Sequence, residues 1–149
     1  MKAAAPLLAL SLSLALGQPA LAADAASPVP FAEAHRYFYG NNHATPEGHV
    51  MKIETEAQLR EYFGMAAVMG EGGLPTAIDF EKQFAAAIIL PVTDYDTEIT
   101  DVAFAEKDGK LVASYKVKKG VKRGFFICPM RLFVLERSRS GLELVGNPL

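Results

Sequence analysis

The chain has 149 residues, 50% of them hydrophobic, and a formal net charge of −2 at pH 7. This mild acidity argues against nucleic acid as a partner, because binding to phosphates normally requires an excess of basic residues. Cys128 is the only cysteine, so an intramolecular disulfide is excluded and the fold must depend on its hydrophobic core.

The first 22 residues have the features of an export signal. Lys2 is followed by an apolar stretch over residues 3–16 and by Ala20-Leu21-Ala22, an A-x-A cleavage site. The apolar stretch is too short to cross a bilayer comfortably. We therefore expect cleavage near Ala22, no stable membrane anchor, and a periplasmic or secreted protein. Residues 23–30 are predicted to be a flexible tether, and 31–149 a single β-rich domain.

The N-terminal half of this domain is predicted to contain two strands, a helix and two loops. Alternating side chains predict a strand over 31–39, turn formers a loop over 40–48, and 50–53 a short strand. Thr55 is expected to cap a helix over 56–63, with Gln58 completing a capping box and Gly64 ending the helix. The glycines and the proline of 65–77 indicate a mobile loop in its second half.

The strongest folding signal is the uncharged apolar run over residues 84–90, which ends at Pro91. Such a run is typical of a central strand buried on both faces, and its alanines suggest close packing on one side.

A polar connection is expected over 93–98. Asp108-Gly109 between two alternating runs then predicts a hairpin of 99–106 with 111–117, with Val117 among the core residues. Further strands are expected over 125–127, 130–136 and 142–145, with Cys128-Pro129 separating the first two and 138–141 forming the last turn. About seven short strands and one covering helix predict a mainly β domain, a small antiparallel barrel or sandwich.

Histidines and carboxylates raise the alternative of a metal-dependent or hydrolytic enzyme. His43 and His49 lie in one loop with Glu47 between them, and Asp94, Asp96 and Glu98 alternate along a second segment. Imidazoles and carboxylates bind metals and serve acid–base chemistry. The spacings match neither a zinc signature nor a calcium loop. We therefore expect solvated histidines, an acidic connection, no catalytic residue and no cofactor.

Two further features are expected to be structural. Cys128 has no charged neighbour to activate its thiol, so a buried cysteine is favoured over a nucleophile. The stretch from Lys116 to Arg123 is strongly basic, which suits either a solvated hairpin turn or docking to an acidic partner or anion.

The order of helix, Ile78-Asp79-Phe80, apolar strand, Asp-Gly hairpin and Cys128-Pro129 before an aliphatic strand resembles a known family. It is similar to the C-terminal domain of bacterial protease-complex accessory subunits, and to small secreted proteins of the Bacteroidetes type, some of which inhibit proteases. This resemblance implies an exported domain that binds a protease as accessory subunit or inhibitor, and it supplies no catalytic residues.

The sequence therefore predicts a non-enzymatic domain that binds a protein partner. An envelope structural protein or small-ligand carrier is a second alternative, which a pocket inside a barrel would favour. The loop over 65–76 is the expected contact surface because it is small, apolar and held between a helix and a strand. The predicted partner-binding residues are Val68, Met69, Gly72, Gly73, Leu74, Lys118, Lys119, Lys122 and Arg123.

Overall fold

The computed structural model describes residues 26–149, so the predicted export signal and the start of the predicted tether lie outside the described residues. Within that range the chain forms ten strands, one α-helix and two short 3₁₀ turns, at Asn41–His43 and Arg137–Arg139. The strands and helix are β1 (Ser27–Pro28), β2 (Ala32–Ala34), β3 (Tyr37–Tyr39), β4 (His49–Ile53), α1 (Glu56–Tyr62), β5 (Phe63–Met65), β6 (Gln83–Ile89), β7 (Thr93–Lys107), β8 (Lys110–Ile127), β9 (Met130–Glu136) and β10 (Glu143–Pro148).

A single long hairpin over residues 83–136 forms most of the fold. β6 pairs with β9 from Gln83↔Glu136 to Ile89↔Met130, and β7 pairs with β8 from Thr93↔Ile127 to Lys107↔Lys110. Pro91 and Pro129 interrupt the two strands at the same level, since proline cannot donate to a ladder. The hairpin folds over at these prolines, so that its two halves lie in different sheets.

The result is a sandwich, not a closed barrel. The front sheet has the order β1-β7-β8-β10, and the middle sheet has the order β2-β9-β6-β4. The mainly β class and the single helix are confirmed. No helix in the described range is long and apolar enough to cross a bilayer.

The middle sheet is buried on both faces, which confirms β6 as the central strand. Phe84, Ala86 and Ile88 face the front sheet in the inter-sheet core. Ala85, Ala87 and Ile89 face the helix-side core, which α1 and the two-stranded sheet β3–β5 cover. The alanines are thus divided between two cores, which corrects the expectation of close packing on one side only.

The start of the domain differs from the prediction. Ser27 and Pro28 pair with Glu106 and Ala105, and Val29 is buried, so residues 27–29 are not a free tether. The strand predicted over 31–39 is divided into β2 and β3 by Arg36, whose φ of 67° breaks the extended backbone.

The helix begins as predicted and ends earlier. The Thr55 side chain accepts a hydrogen bond from the Gln58 amide, and the Gln58 side chain accepts one from the Glu54 amide. The helix ends at Tyr62, and Gly64 lies in β5 instead of ending the helix. A Cβ at Gly64 would lie 2.0 Å from the Phe38 ring, so close packing explains this glycine.

The Asp108-Gly109 hairpin is confirmed, with φ values of 51° and 72° at its two turn residues. Its strands are much longer than predicted. Residues 93–98 belong to β7 and are not a connection, and the basic stretch 116–123 lies within β8 and is not a turn. Val117 is exposed because β8 leaves the inter-sheet core after Tyr115.

The C-terminal strand also differs. It runs over Glu143–Pro148 and pairs with β8 in parallel, from Glu143↔Lys110 to Pro148↔Tyr115. The turn that precedes it is a 3₁₀ turn at Arg137–Arg139, close to the predicted position.

Candidate partner-binding surfaces

The loop over residues 66–76, called the Met69 loop below, is attached at both ends to the short segment 35–37. The Ala66 amide donates to the Arg36 carbonyl at 2.9 Å, and the Thr76 amide donates to the His35 carbonyl at 3.2 Å. The His35 amide donates to the Thr76 hydroxyl, and the Tyr37 hydroxyl donates to the Thr76 carbonyl. Both ends of the loop are therefore fixed to the domain.

Within the Met69 loop, the chain closes into a tight turn. The Val68 amide donates to the Gly73 carbonyl at 2.8 Å, and the Gly73 amide donates to the Gly70 carbonyl at 3.2 Å. Gly70 and Gly72 have φ values of 113° and 70°, which favour glycine. The Arg36 guanidinium donates to the Gly72 carbonyl at 2.8 Å. The positive φ values explain why glycine stands at positions 70 and 72, and the hydrogen bonds close the turn.

This turn presents three apolar side chains to solvent. Met69 is fully exposed, Leu74 is 77% exposed and Val68 is more than half exposed, whereas Gly73 is buried beneath them. Because the backbone is a closed turn, the loop does not offer the extended strand that proteases recognise in substrates. It offers a fixed apolar projection, of the kind that fills a pocket on a partner.

An apolar groove of about 380 Å³ adjoins the loop. It is lined by Leu59 of α1, by Phe63 and Met65 of β5, and by Leu74, Ile78 and Phe80 of the segment that follows. Sequence reasoning missed this groove, because it forms only when residues 74–80 pack beside α1.

The predicted basic and acidic segments meet on neighbouring strands, in what we call the bridging ribbon: residues 93–101 of β7 and 116–127 of β8. Lys122 pairs with Asp94 at 3.2 Å, Arg123 pairs with Asp96, and Lys116 pairs with Asp101 at 3.0 Å. The Lys119 ammonium lies 3.6 Å from the centre of the Tyr95 ring, at cation–π distance. The carboxylates of Asp94, Asp96 and Asp101 therefore each form an ion pair with a lysine or arginine side chain.

The histidines and carboxylates that a metal-dependent or hydrolytic enzyme would use lie in different parts of the structure. His43 and His49 both pack near Tyr39, with ring centres 6.2 and 6.0 Å from it, whereas His35 is exposed beside the Met69 loop. Asp94 and Asp96 lie in the bridging ribbon. Among residues 26–149, no three His, Cys, Asp or Glu side chains are grouped so that they could hold a metal ion.

Cys128 is half-buried, and its thiol lies 3.5 Å from the Leu90 carbonyl oxygen. Burial raises the pKa of this thiol. A higher pKa leaves less of the reactive thiolate at neutral pH, so the surroundings of Cys128 suit packing better than nucleophilic chemistry.

Arg131 connects the two sheets of the sandwich at the end near the bridging ribbon. Its guanidinium donates to both carboxylate oxygens of Glu33, at 2.9 and 2.6 Å, and to the Ile99 carbonyl at 2.9 Å. The hydrogen bond from Arg131 holds the pKa of Glu33 below its ordinary value.

This ion pair predicts a loss of stability in acid. Because the pKa of Glu33 is lower in the folded protein, its contribution is complete above the unfolded pKa of about 4.3 and is lost as pH falls through the folded pKa. Glu33→Gln should lower the free energy of unfolding by about 1–2 kcal/mol at pH 7. Urea denaturation of both proteins from pH 7 downward should show this difference shrinking below about pH 4.3. A difference that stays constant with pH would contradict the prediction.

Comparison of the chain with protein-family models, with curated proteins and with solved structures gave no match. The resemblance to protease-binding families therefore stays a prediction.

Proposed function

We propose that this protein is an exported, non-enzymatic domain that binds a protein partner through the Met69 loop, with a protease as the expected class of partner. The observation that carries the proposal is the construction of the loop. Its two ends are hydrogen-bonded to the segment 35–37, its turn is closed by backbone hydrogen bonds, and Met69 projects fully into solvent. A backbone held in this way loses little conformational entropy when a partner binds, so the cost of ordering falls mainly on the Met69 side chain.

The loop and the adjoining groove together form the proposed contact surface. A stable interface covers roughly 800 Å² on each partner, which is more than one loop supplies. In the proposed complex, Met69 enters a pocket of the partner and an apolar side chain of the partner enters the groove beside Leu74. The ion pair of Arg60 with Glu56 lies at the edge of the groove and would belong to the polar rim of the interface.

The two modes implied by the resemblance differ in their effect on the protease. An inhibitor blocks the active site, so peptide hydrolysis stops when the domain binds. An accessory subunit binds elsewhere and leaves hydrolysis of small peptides intact. The closed turn of the Met69 loop favours the second mode, because occupation of a protease active site normally requires an extended segment.

Met69→Asp is expected to weaken partner binding by about thirtyfold or more, because it places a charge where a central apolar contact is expected. To test this, exported serine, cysteine and metalloproteases are each incubated with the wild type and the variant. Size-exclusion chromatography detects the complex, and hydrolysis of a small peptide is measured separately. Phe126→Ser, a change at an exposed aromatic residue outside the loop, is the matched control and should bind normally.

Binding that is equal for the wild type and Met69→Asp would remove the loop from the contact surface. If none of the tested proteases forms a complex, proteases are rejected as the class of partner.

A further inference from the structure

The bridging ribbon carries a second exposed surface, at a place where β8 loops out of the ladder. Thr93 is paired with Ile127 and Tyr95 with Lys122, so β8 has three more residues than β7 between these two pairs. The extra residues cannot fit into a two-stranded ladder. They form a β-bulge within β8 that contains Gly124, Phe125 and Phe126, which we call the bulge loop.

The two aromatic residues of this loop face solvent, with Phe125 61% exposed and Phe126 75% exposed. Val121 lies nearby on the same strand and is 65% exposed. Adjacent exposed aromatic residues are unusual on the surface of a domain and indicate a binding site.

The loop is also held in place. The Lys122–Asp94 and Arg123–Asp96 ion pairs connect β8 to β7 at the point where the loop begins. The pairing of Thr93 with Ile127 closes its other end.

Basic side chains occupy the β8 side of the bridging ribbon, and acidic side chains occupy the β7 side. Every residue of β8 from Lys116 to Phe126 is exposed, and this stretch has five basic side chains and no acidic one. The facing part of β7 contributes Asp94, Asp96, Glu98 and Asp101. In the described part of the chain, Lys118 and Lys119 form no ion pair with a carboxylate; Lys119 lies over the Tyr95 ring, and Lys118 is exposed opposite Glu98 in the register.

This composition fits a lipid surface better than a protein surface. Protein interfaces are depleted of lysine at their centres. Peripheral binding to membranes combines buried apolar side chains with lysines that face lipid phosphates, and one such contribution alone gives only weak binding. The bridging ribbon supplies both contributions within one short stretch.

We propose that the bridging ribbon binds the surface of an anionic lipid bilayer, with Phe125 and Phe126 entering the headgroup region and Lys118 and Lys119 facing the lipid phosphates. This inference rests on the bridging ribbon and is independent of the function proposed for the Met69 loop.

Sedimentation with unilamellar vesicles tests the proposal on the intact domain. The wild type should sediment with vesicles of phosphatidylglycerol mixed with phosphatidylcholine, and only weakly with phosphatidylcholine alone. Phe125→Ser/Phe126→Ser should lower the partition coefficient at least about tenfold, through loss of buried apolar area. Neutralising Lys118 and Lys119 with glutamine should lower it on the order of fivefold for each lysine. Because all four side chains are exposed, circular dichroism should show an unchanged fold.

Met69→Ser is the matched control, since it removes a fully exposed apolar side chain from a loop that contains no lysine. It should bind vesicles like the wild type. Three results would overturn the proposal: no binding of the wild type to the anionic vesicles, binding that the double phenylalanine variant retains, or binding that added inorganic phosphate abolishes at constant ionic strength. Self-association in place of vesicle binding, seen as a concentration-dependent dimer in analytical ultracentrifugation, would also count against it.

Discussion

Phe133→Ala is expected to destabilise the protein by about 3–5 kcal/mol, as is typical of a fully buried phenylalanine. Phe133 lies in the inter-sheet core and is completely buried. Its ring makes edge-to-face contacts with Phe104 of the front sheet at 5.4 Å and with Phe31 at 5.4 Å. Removal of the ring therefore leaves a cavity where the two halves of the long hairpin pack together.

Denaturation in guanidinium chloride, followed by circular dichroism, measures this loss. Single domains are stable by only about 5–15 kcal/mol, so the variant should unfold at a much lower denaturant concentration or fail to fold. Phe126→Ala, which truncates the same side chain where it is mostly exposed, should change stability by less than about 0.5 kcal/mol. Similar losses in both variants would contradict the packing of Phe133 between the sheets.

The elements that the sequence predicted well are those whose signals are local. The uncharged apolar run at 84–90 predicts a strand that is buried on both faces. β6 lies in the middle sheet, which has a hydrophobic core on each side. The hairpin at Asp108-Gly109 depends on two positive φ values that this dipeptide adopts readily. Thr55 and Gln58 form the expected cap of α1, because capping involves only residues that are neighbours in the chain.

The errors concern elements that depend on distant partners. Residues 93–98 are polar on both faces, so no alternation revealed a strand. Counting outward from Asp108-Gly109 shows that they face β8, but the three register shifts between Thr93 and Ala103 have no signal in the sequence, so the individual pairs could not be found. The break at Arg36 and the parallel pairing of β10 have no comparable signal, because both depend on contacts made by other parts of the chain.

The position of the Met69 loop was predicted from its composition, but its conformation was not predicted. Glycines in a sequence are compatible with both a mobile segment and a turn that requires positive φ. The turn itself is defined by the closure of the chain at Val68 and Gly73 and by the contact from Arg36, neither of which the composition reveals. The basic and acidic segments of the bridging ribbon were likewise identified separately. Which lysine or arginine pairs with which carboxylate depends on the register of β7 and β8, which the sequence does not show.

Gly73→Ala is expected to open the Met69 loop and, on the proposed function, to weaken partner binding by about tenfold or more, because the loop must then be ordered on binding. A Cβ at Gly73 would lie 1.9 Å from the Val68 carbonyl oxygen and 3.0 Å from that of Gly70. Both are backbone atoms, so no side-chain movement relieves the clash. The two hydrogen bonds that close the turn should therefore break.

Two measurements detect the opening without any partner. Hydrogen exchange at the amides of Val68 and Gly73 should accelerate, and limited proteolysis should cleave the loop near Met69 faster than in the wild type. The free energy of unfolding should fall by less than about 1 kcal/mol, because the loop adds no side chain to either core. Gly141→Ala is the matched control, since a Cβ there would meet no atom within 4 Å. Unchanged exchange at Val68 and Gly73 in Gly73→Ala would show that the turn is not closed in solution, whereas faster exchange with unchanged partner binding would reject only the role of the loop in recognition.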